Sequence, residues 1–289
     1  MTGERRTAYS FLTPSLLILG VFALAPIVSA FVTSLHRDTP FAGRVFIGLE
    51  NYRVLLSDSV ARGTIGFTLV FVAVSTMLEL LVGLGLALVI HQRFCGRGLV
   101  RAAVLIPWAI PTVVAAVMWK YMLNDQYGVV NMLIHGNDLT SYTAWLADAT
   151  WARLAIIGAD VWKTSSFAAL LILAGLQSIP GDLYDAARID GAGAWKQFWR
   201  VTLPLLRPAI LLAALFRVMD AFRVFDLVYV MTQGAPGGAT NVLQFYGYQK
   251  MFPEQQFGYG SAISILVFLL IAVTAYFAIR TISARVFES

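Results

Sequence analysis

Charge is scarce in this chain: Asp, Glu, Lys and Arg together make up 13% of its 289 residues, where soluble domains carry roughly 25%. With 58% hydrophobic residues and a mean hydropathy of +0.73, a soluble globule is excluded. The single cysteine, Cys95, excludes an intrachain disulfide, and no Cys/His cluster has the spacing of a zinc site. No metal is expected. The three histidines, His36, His91 and His135, stand in or beside polar stretches and read as surface residues. A set of nucleophile, base and orienter is also missing, which disfavours an enzyme. The net charge of +5 comes from scattered Lys and Arg, so nucleic acid is not an expected partner. A basic excess of this kind is what the inner loops of a membrane protein require.

What the chain has instead is long apolar runs, each near the roughly 20 residues that cross a bilayer. They lie at about 11–35, 65–90, 102–122, 154–176, 208–231 and 262–279. The first is longer than the h-region of a signal peptide and reads as a retained span. The second carries small residues, Gly83, Gly85 and Ala87, that suit close helix packing. Pro107 and Pro111 predict a kink in the third. Residues 36–62 read as a charged loop with one short helix, and 124–150 as a polar loop. The expected fold is an all-α membrane protein, a single transmembrane domain over 1–289.

Lys and Arg in short flanking loops set orientation. If the N-terminus is inside, the inner segments hold Arg5, Arg6, Arg93, Arg97, Arg101, Arg188, Lys196, Arg200, Arg207, Arg280 and Arg285. Outer segments hold fewer, and most of those sit in the longer 36–62 loop. Six spans then leave both termini on the cytoplasmic side.

Six charges fall inside these runs: Glu79, Lys163, Arg217, Asp220, Arg223 and Asp226. Each costs about 2.5–3.5 kcal/mol at a helix centre, more than several leucines return. The last four follow one another at i, i+3 spacing, which allows pairing along one helix. They are either structural ion pairs or the wall of a hydrated cavity for a polar solute, and different members can do different things. A sugar would suit such a wall, its hydroxyls meeting charged groups and its C–H faces stacking on Trp162 or Phe167. Those aromatics read equally well as packing or lipid-facing side chains.

Between the fourth and fifth runs, residues 179–208 form a polar interruption. Asp182 is placed to cap a helix starting at Leu183, with Asp185 three residues on as a variant capping box, and Gly191 and Gly193 end it. By itself this could be a helix lying on the membrane surface. The stretch YDAARIDGAGAWKQFWRVTLPLLRP, however, resembles the EAA loop of ATP-binding-cassette importer permeases. Asp185, Ala186, Ala187, Gly191, Val201, Leu203 and Pro204 fill that pattern, with Asp185 in place of the usual Glu. GLENY at Gly48, RAAVLIPWAIP at Arg101 and MTQGAPGGATNVLQFYGYQKMF at Met231 extend the resemblance over nearly the whole chain. DVWKTSSFAALLILAGL and FRVMDAFRVFDLVYVMT look most like permeases for trehalose, maltose and related glucosides, of the MalF-like type.

The resemblance implies a six-helix permease in a bacterial or archaeal cytoplasmic membrane, importing a disaccharide or related glucoside by alternating access. Its implied partners are a MalG-like permease subunit, two ATPase subunits that bind ATP and Mg, an extracytoplasmic sugar-binding protein or lipoprotein, and membrane lipid. This chain has no P-loop and is expected to bind no cofactor. Tyr184, Asp185, Ala186, Ala187, Ile189, Asp190 and Gly191 would form the coupling helix that docks on an ATPase. Lys163, Thr164, Phe167, Phe216, Met219, Asp220 and Arg223 would meet sugar, with Glu79 added for its depth. Rival readings are an importer permease for glycerol phosphate or an oligosaccharide, and an ion-coupled secondary transporter using Glu79 and Asp220.

Overall fold

The computed structural model describes residues 2–41, 43–136 and 138–286. The described residues fall into two compact units, one from within Met1–Arg62 and Tyr246–Leu269, the other from within Gly63–Phe245 and Leu270–Ser289. Among the described residues, five helical segments are long and apolar enough to cross a membrane, Tyr9–Ser34, Ser59–His91, Ala149–Gln177, Ala194–Ala221 and Phe257–Arg280. A sixth arises if a bent pair counts as one span. The side chains of Arg5, Arg6 and Arg285 lie outside the described residues.

In the first unit, α1 (Thr2–Leu19) and α2 (Ala25–Ser34) are joined through one wide helical turn, and from Tyr9 to Thr33 no residue is buried, Ser34 at the end being the exception. An apolar helix with every face open needs lipid or a partner subunit around it. The charged loop that follows is more ordered than its composition suggested. It folds as an antiparallel pair, β1 (His36–Thr39) and β2 (Gly43–Phe46), with His36 opposite Phe46, and a helix, α3 (Glu50–Ser57). Asn51 holds the pair's base, donating to the Ser34 and His36 carbonyls at 2.7 and 2.9 Å.

In the second unit, α4 (Ser59–His91), most of whose length lies here, meets α8 (Ala149–Gln177) where Gly83 leaves no room for a side chain. A Cβ there would stand 2.8 Å from Ala168 Cβ. Ala87 is buried as well, whereas Gly85 faces open space. Asp148 starts α8 by accepting the Thr150 and Trp151 N–H groups, both at 2.9 Å. The third span is broken, not merely kinked. α5 (Arg97–Ala109) and α6 (Thr112–Met122) meet at 91° across Ile110 and Pro111. Proline lacks the N–H that would continue α5 and disfavours the helical conformation of the residue before it.

After α7 (Val129–His135) and α8 come α9 (Gly181–Ile189), α10 (Ala194–Gln197) and α11 (Leu203–Ala221). The fifth span differs from the apolar run at 208–231. It starts at Ala194, because α10 and α11 are continuous through a π-turn over Phe198–Thr202, just before Pro204. A wider turn accommodates a ring that would clash with the carbonyl four residues back. It stops at Ala221, where the chain leaves the helix through Arg223 and restarts as α12 (Asp226–Met231). Arg217 and Asp220 therefore share one helix, and Arg223 and Asp226 do not belong to it. α13 (Leu243–Met251) and α14 (Phe257–Val286) complete the chain.

Candidate functional site

Three helices of the second unit bring their charges to one place. Arg217 of α11 is gripped by both oxygens of Glu79 from α4, through Nε and through Nη2 at 2.8 Å. Its Nη2 also stands 3.4 Å from Asp160 of α8, and its Nη1 donates to Asp220 at 2.7 Å. The Thr164 hydroxyl donates to Glu79 Oε1 at 2.7 Å. Asp160 is a seventh intramembrane charge, absent from the six singled out above. The signal that flags the six, a charge within an apolar run, applies to it equally.

Beside this network lies a cavity of about 280 Å³. Asp160, Lys163 and Thr164 of α8 form one wall, and Asp220, Arg223 and Asp226 another. Trp108 and Thr112, on either side of the break in the third span, and Phe225 at the break in the fifth complete much of the remainder. The two discontinuities face the same space. Irregular backbone is tolerated at membrane depth where it lines a polar cavity, since freed carbonyls and amides then find partners. Lys163 supplies one, its Nζ donating to the Trp108 carbonyl at 3.3 Å. That places a cation at the C-terminal, negative end of α5.

Of the residues expected to meet a solute, Lys163, Thr164, Asp220 and Arg223 line this cavity. Glu79 does not; it is 0% exposed and spent on Arg217 and Thr164. Phe167, Phe216 and Met219 are also off its wall, Phe167 lying stacked on Trp108 and edge-on to Phe216. Trp162 packs edge-on to Trp119. The aromatics on the cavity wall are Trp108 and Phe225, of which Trp108 stands on the third span. Nothing in the local sequence distinguishes it, because only the fold back across α8 turns it inward. The expected i, i+3 ladder forms only at its first step, Arg217 to Asp220; Arg223 and Asp226 make no ion pair among the described residues.

The 179–208 stretch contains the expected short helix, with a different start. Pro180 is the N-cap residue, and neither Asp182 nor Asp185 makes a side-chain cap. With α9 starting at Gly181, Asp182 falls within the first turn and not before it, so its carboxylate favours the dipole without capping. Asp185 pairs with Arg188 at 3.1 Å. At the other end the glycine stop is as expected: Gly191 has φ +74°, its N–H reaches the Arg188 carbonyl, and the Ala192 N–H reaches Ala187 at 2.8 Å. This is a Schellman ending.

Two bonds tie α9 and its following turn to the fifth span: Tyr184 Oη to Thr202 Oγ1 at 3.1 Å, and Gln197 Nε2 to the Ala192 carbonyl at 2.7 Å. The opposite side is open, with Ile189 88% and Trp195 75% exposed. Among the described residues no group of His, Cys, Asp and Glu could hold a metal ion.

Residues 79–288 match the family of binding-protein-dependent transport system inner membrane components. The trehalose/maltose transport system permease protein MalF of Thermococcus litoralis is 43% identical over 269 residues, 93% of this chain and 90% of that protein. The trehalose transport system permease protein SugA of Mycobacterium tuberculosis is 40% identical over 284 residues, 97% of this chain and 90% of that one. A chain of a bacterial ABC transporter involved in the import of the acidic polysaccharide alginate has the same fold, with a TM-score of 0.84 at 23% identity, covering 98% of this chain and 96% of its own.

Proposed function

Because this chain belongs to the family of binding-protein-dependent transport system inner membrane components, and so is an ABC importer permease subunit and not an enzyme, we propose that it carries a neutral disaccharide of the trehalose or maltose type through the cavity beside Arg217. The observation that carries this reading is the mixed lining: Lys163 and Arg223 share one cavity with Asp160, Asp220 and Asp226 and two aromatics, Trp108 and Phe225. Charges of both signs serve hydroxyl groups, which donate and accept, better than they serve a net anion. The names and close similarity of the MalF and SugA relatives support the same class.

In this reading the bent pair is one span, giving six, with both termini and α9 in the cytoplasm of a bacterial or archaeal cell and the chain crossing its cytoplasmic membrane. Residues Tyr184 to Gly191 dock on one of two ATPase subunits, which bind ATP and Mg. A MalG-like permease pairs with this chain, and an extracytoplasmic sugar-binding protein delivers the cargo. ATPase closure would press on α9, and the ties at Tyr184 and Gln197 would pass that displacement into the fifth span, whose far end carries Asp220 to the cavity. Sugar shifts the equilibrium between inward- and outward-open forms only through different affinity for the two.

The test is uptake of radiolabelled trehalose by the complete importer in proteoliposomes. Asp220→Ala should lower uptake strongly while the complex still assembles. Unchanged uptake would remove the cavity from the transport path. Uptake that continues without the ATPase subunits would favour an ion-coupled carrier.

A further inference from the structure

The charged cluster contains one residue that no solute can reach, joined directly to one that a solute can. Arg217 is 3% exposed, and its inner edge is held by Glu79 and Asp160. Its remaining edge reaches Asp220, whose side chain is 65% exposed on the cavity wall. Only Oδ2 of Asp220 is engaged, so Oδ1 has no protein partner among the described residues. On an ordinary helix surface an i, i+3 pair this open gains little, because both side chains keep their rotamer freedom. Here the cation cannot move. Its fork is locked by a bidentate carboxylate, which Thr164 locks in turn.

Charge balance points the same way. Glu79 and Asp160 already meet Arg217 from inside, so Asp220 is a third acceptor on the guanidinium, oriented by it and open to the cavity. A carboxylate fixed in direction with one oxygen open is a strong acceptor for a neutral hydroxyl.

We propose that Arg217 is a positioning residue for sugar binding: held by Glu79 and Asp160, it fixes Asp220 so that Oδ1 accepts a hydrogen bond from a sugar hydroxyl, and so sets affinity without touching the sugar. The proposal rests on the sugar reading of the cavity. A lysine in place of Arg217 would keep the charge and lose the fork.

The experiment is equilibrium binding of radiolabelled trehalose to the assembled permease and ATPase complex in detergent, without its binding protein. Asp220→Ala should weaken binding about tenfold, the size of one lost charged hydrogen bond. Arg217→Lys should weaken it by a similar factor, and the double variant should be no weaker than Asp220→Ala alone. If Asp220→Ala binds normally, the cavity reading fails. If it binds weakly while Arg217→Lys binds normally, or if the two losses multiply, the cavity stands and the positioning role is overturned. Should Arg217→Lys not assemble, Glu79→Gln is measured instead, with several-fold weaker binding expected. Normal binding by that variant, or its failure to assemble, would assign the network to folding alone.

Discussion

The Tyr184 hydroxyl lies 3.1 Å from Thr202 Oγ1, joining the short α9 to the π-turn that opens the fifth span. The bond is half-exposed and contributes on the order of 1 kcal/mol to stability. Its position is what matters, since with the Gln197–Ala192 bond it joins the α9 segment to the fifth span. Tyr184→Phe should leave the complex assembled and lower trehalose transported per ATP hydrolysed several-fold. Paired uptake and ATPase rates in proteoliposomes would check this; an unchanged ratio would show that the stroke passes elsewhere.

Gly191 ends α9 in a left-handed conformation, and a Cβ there would meet nothing within 4 Å. The penalty of substitution is therefore strain, about 1–2 kcal/mol for a side chain, not collision. Gly191→Val should unravel the last turn of α9, release the Ala187 carbonyl, and raise ATP hydrolysed per sugar while trehalose binding to the cavity persists. Simultaneous loss of binding would argue for general misfolding.

Lys163 caps the broken end of α5 from across the cavity. Lys163→Met removes that cap and leaves the Trp108 carbonyl short of a donor, at about 1–3 kcal/mol. Both thermal stability and uptake should fall, with uptake falling further, because the same ammonium lines the cavity. A fall in stability with normal uptake would reduce Lys163 to a structural role.

Asp58 supplies a pH-dependent term in the first unit. Burial opposes its ionisation, but the Val60 N–H, the Tyr246 hydroxyl, the Ala61 N–H and the Lys250 charge outweigh it and hold the carboxyl below its ordinary 3.8. Its folded pKa is depressed, so this stabilisation is present above the unfolded value and is lost as pH falls through the folded one. Asp58→Asn should lower the unfolding temperature at pH 7, and its difference from the native protein should shrink below about pH 4. A difference that stays constant with pH would show that the carboxylate charge contributes nothing there.

The membrane class and most of the spans were legible because hydropathy summed over some twenty residues needs no tertiary knowledge. Gly83 was legible as a close contact for a similar reason, small size in a span having few other uses. The breaks were less so. Pro107 and Pro111 announced a kink but not an angle of 91°, and the interruption after Ala221 has no glycine or proline to announce it. It exists because Asp220, Arg223 and Asp226 find a polar cavity there, which is a property of the packed bundle.

Composition and periodicity by themselves determined that this chain is a helical membrane protein, and the 179–208 pattern carried the resemblance to importer permeases, because those properties reside in local residue order. Tertiary structure alone decided which charges line a cavity and which are buried in the framework. Glu79 and Asp220 stand at similar depth in apolar runs, yet one is sealed against Arg217 and the other opens to the cavity. That difference depends on how α4, α8 and α11 meet, and no single helix encodes it.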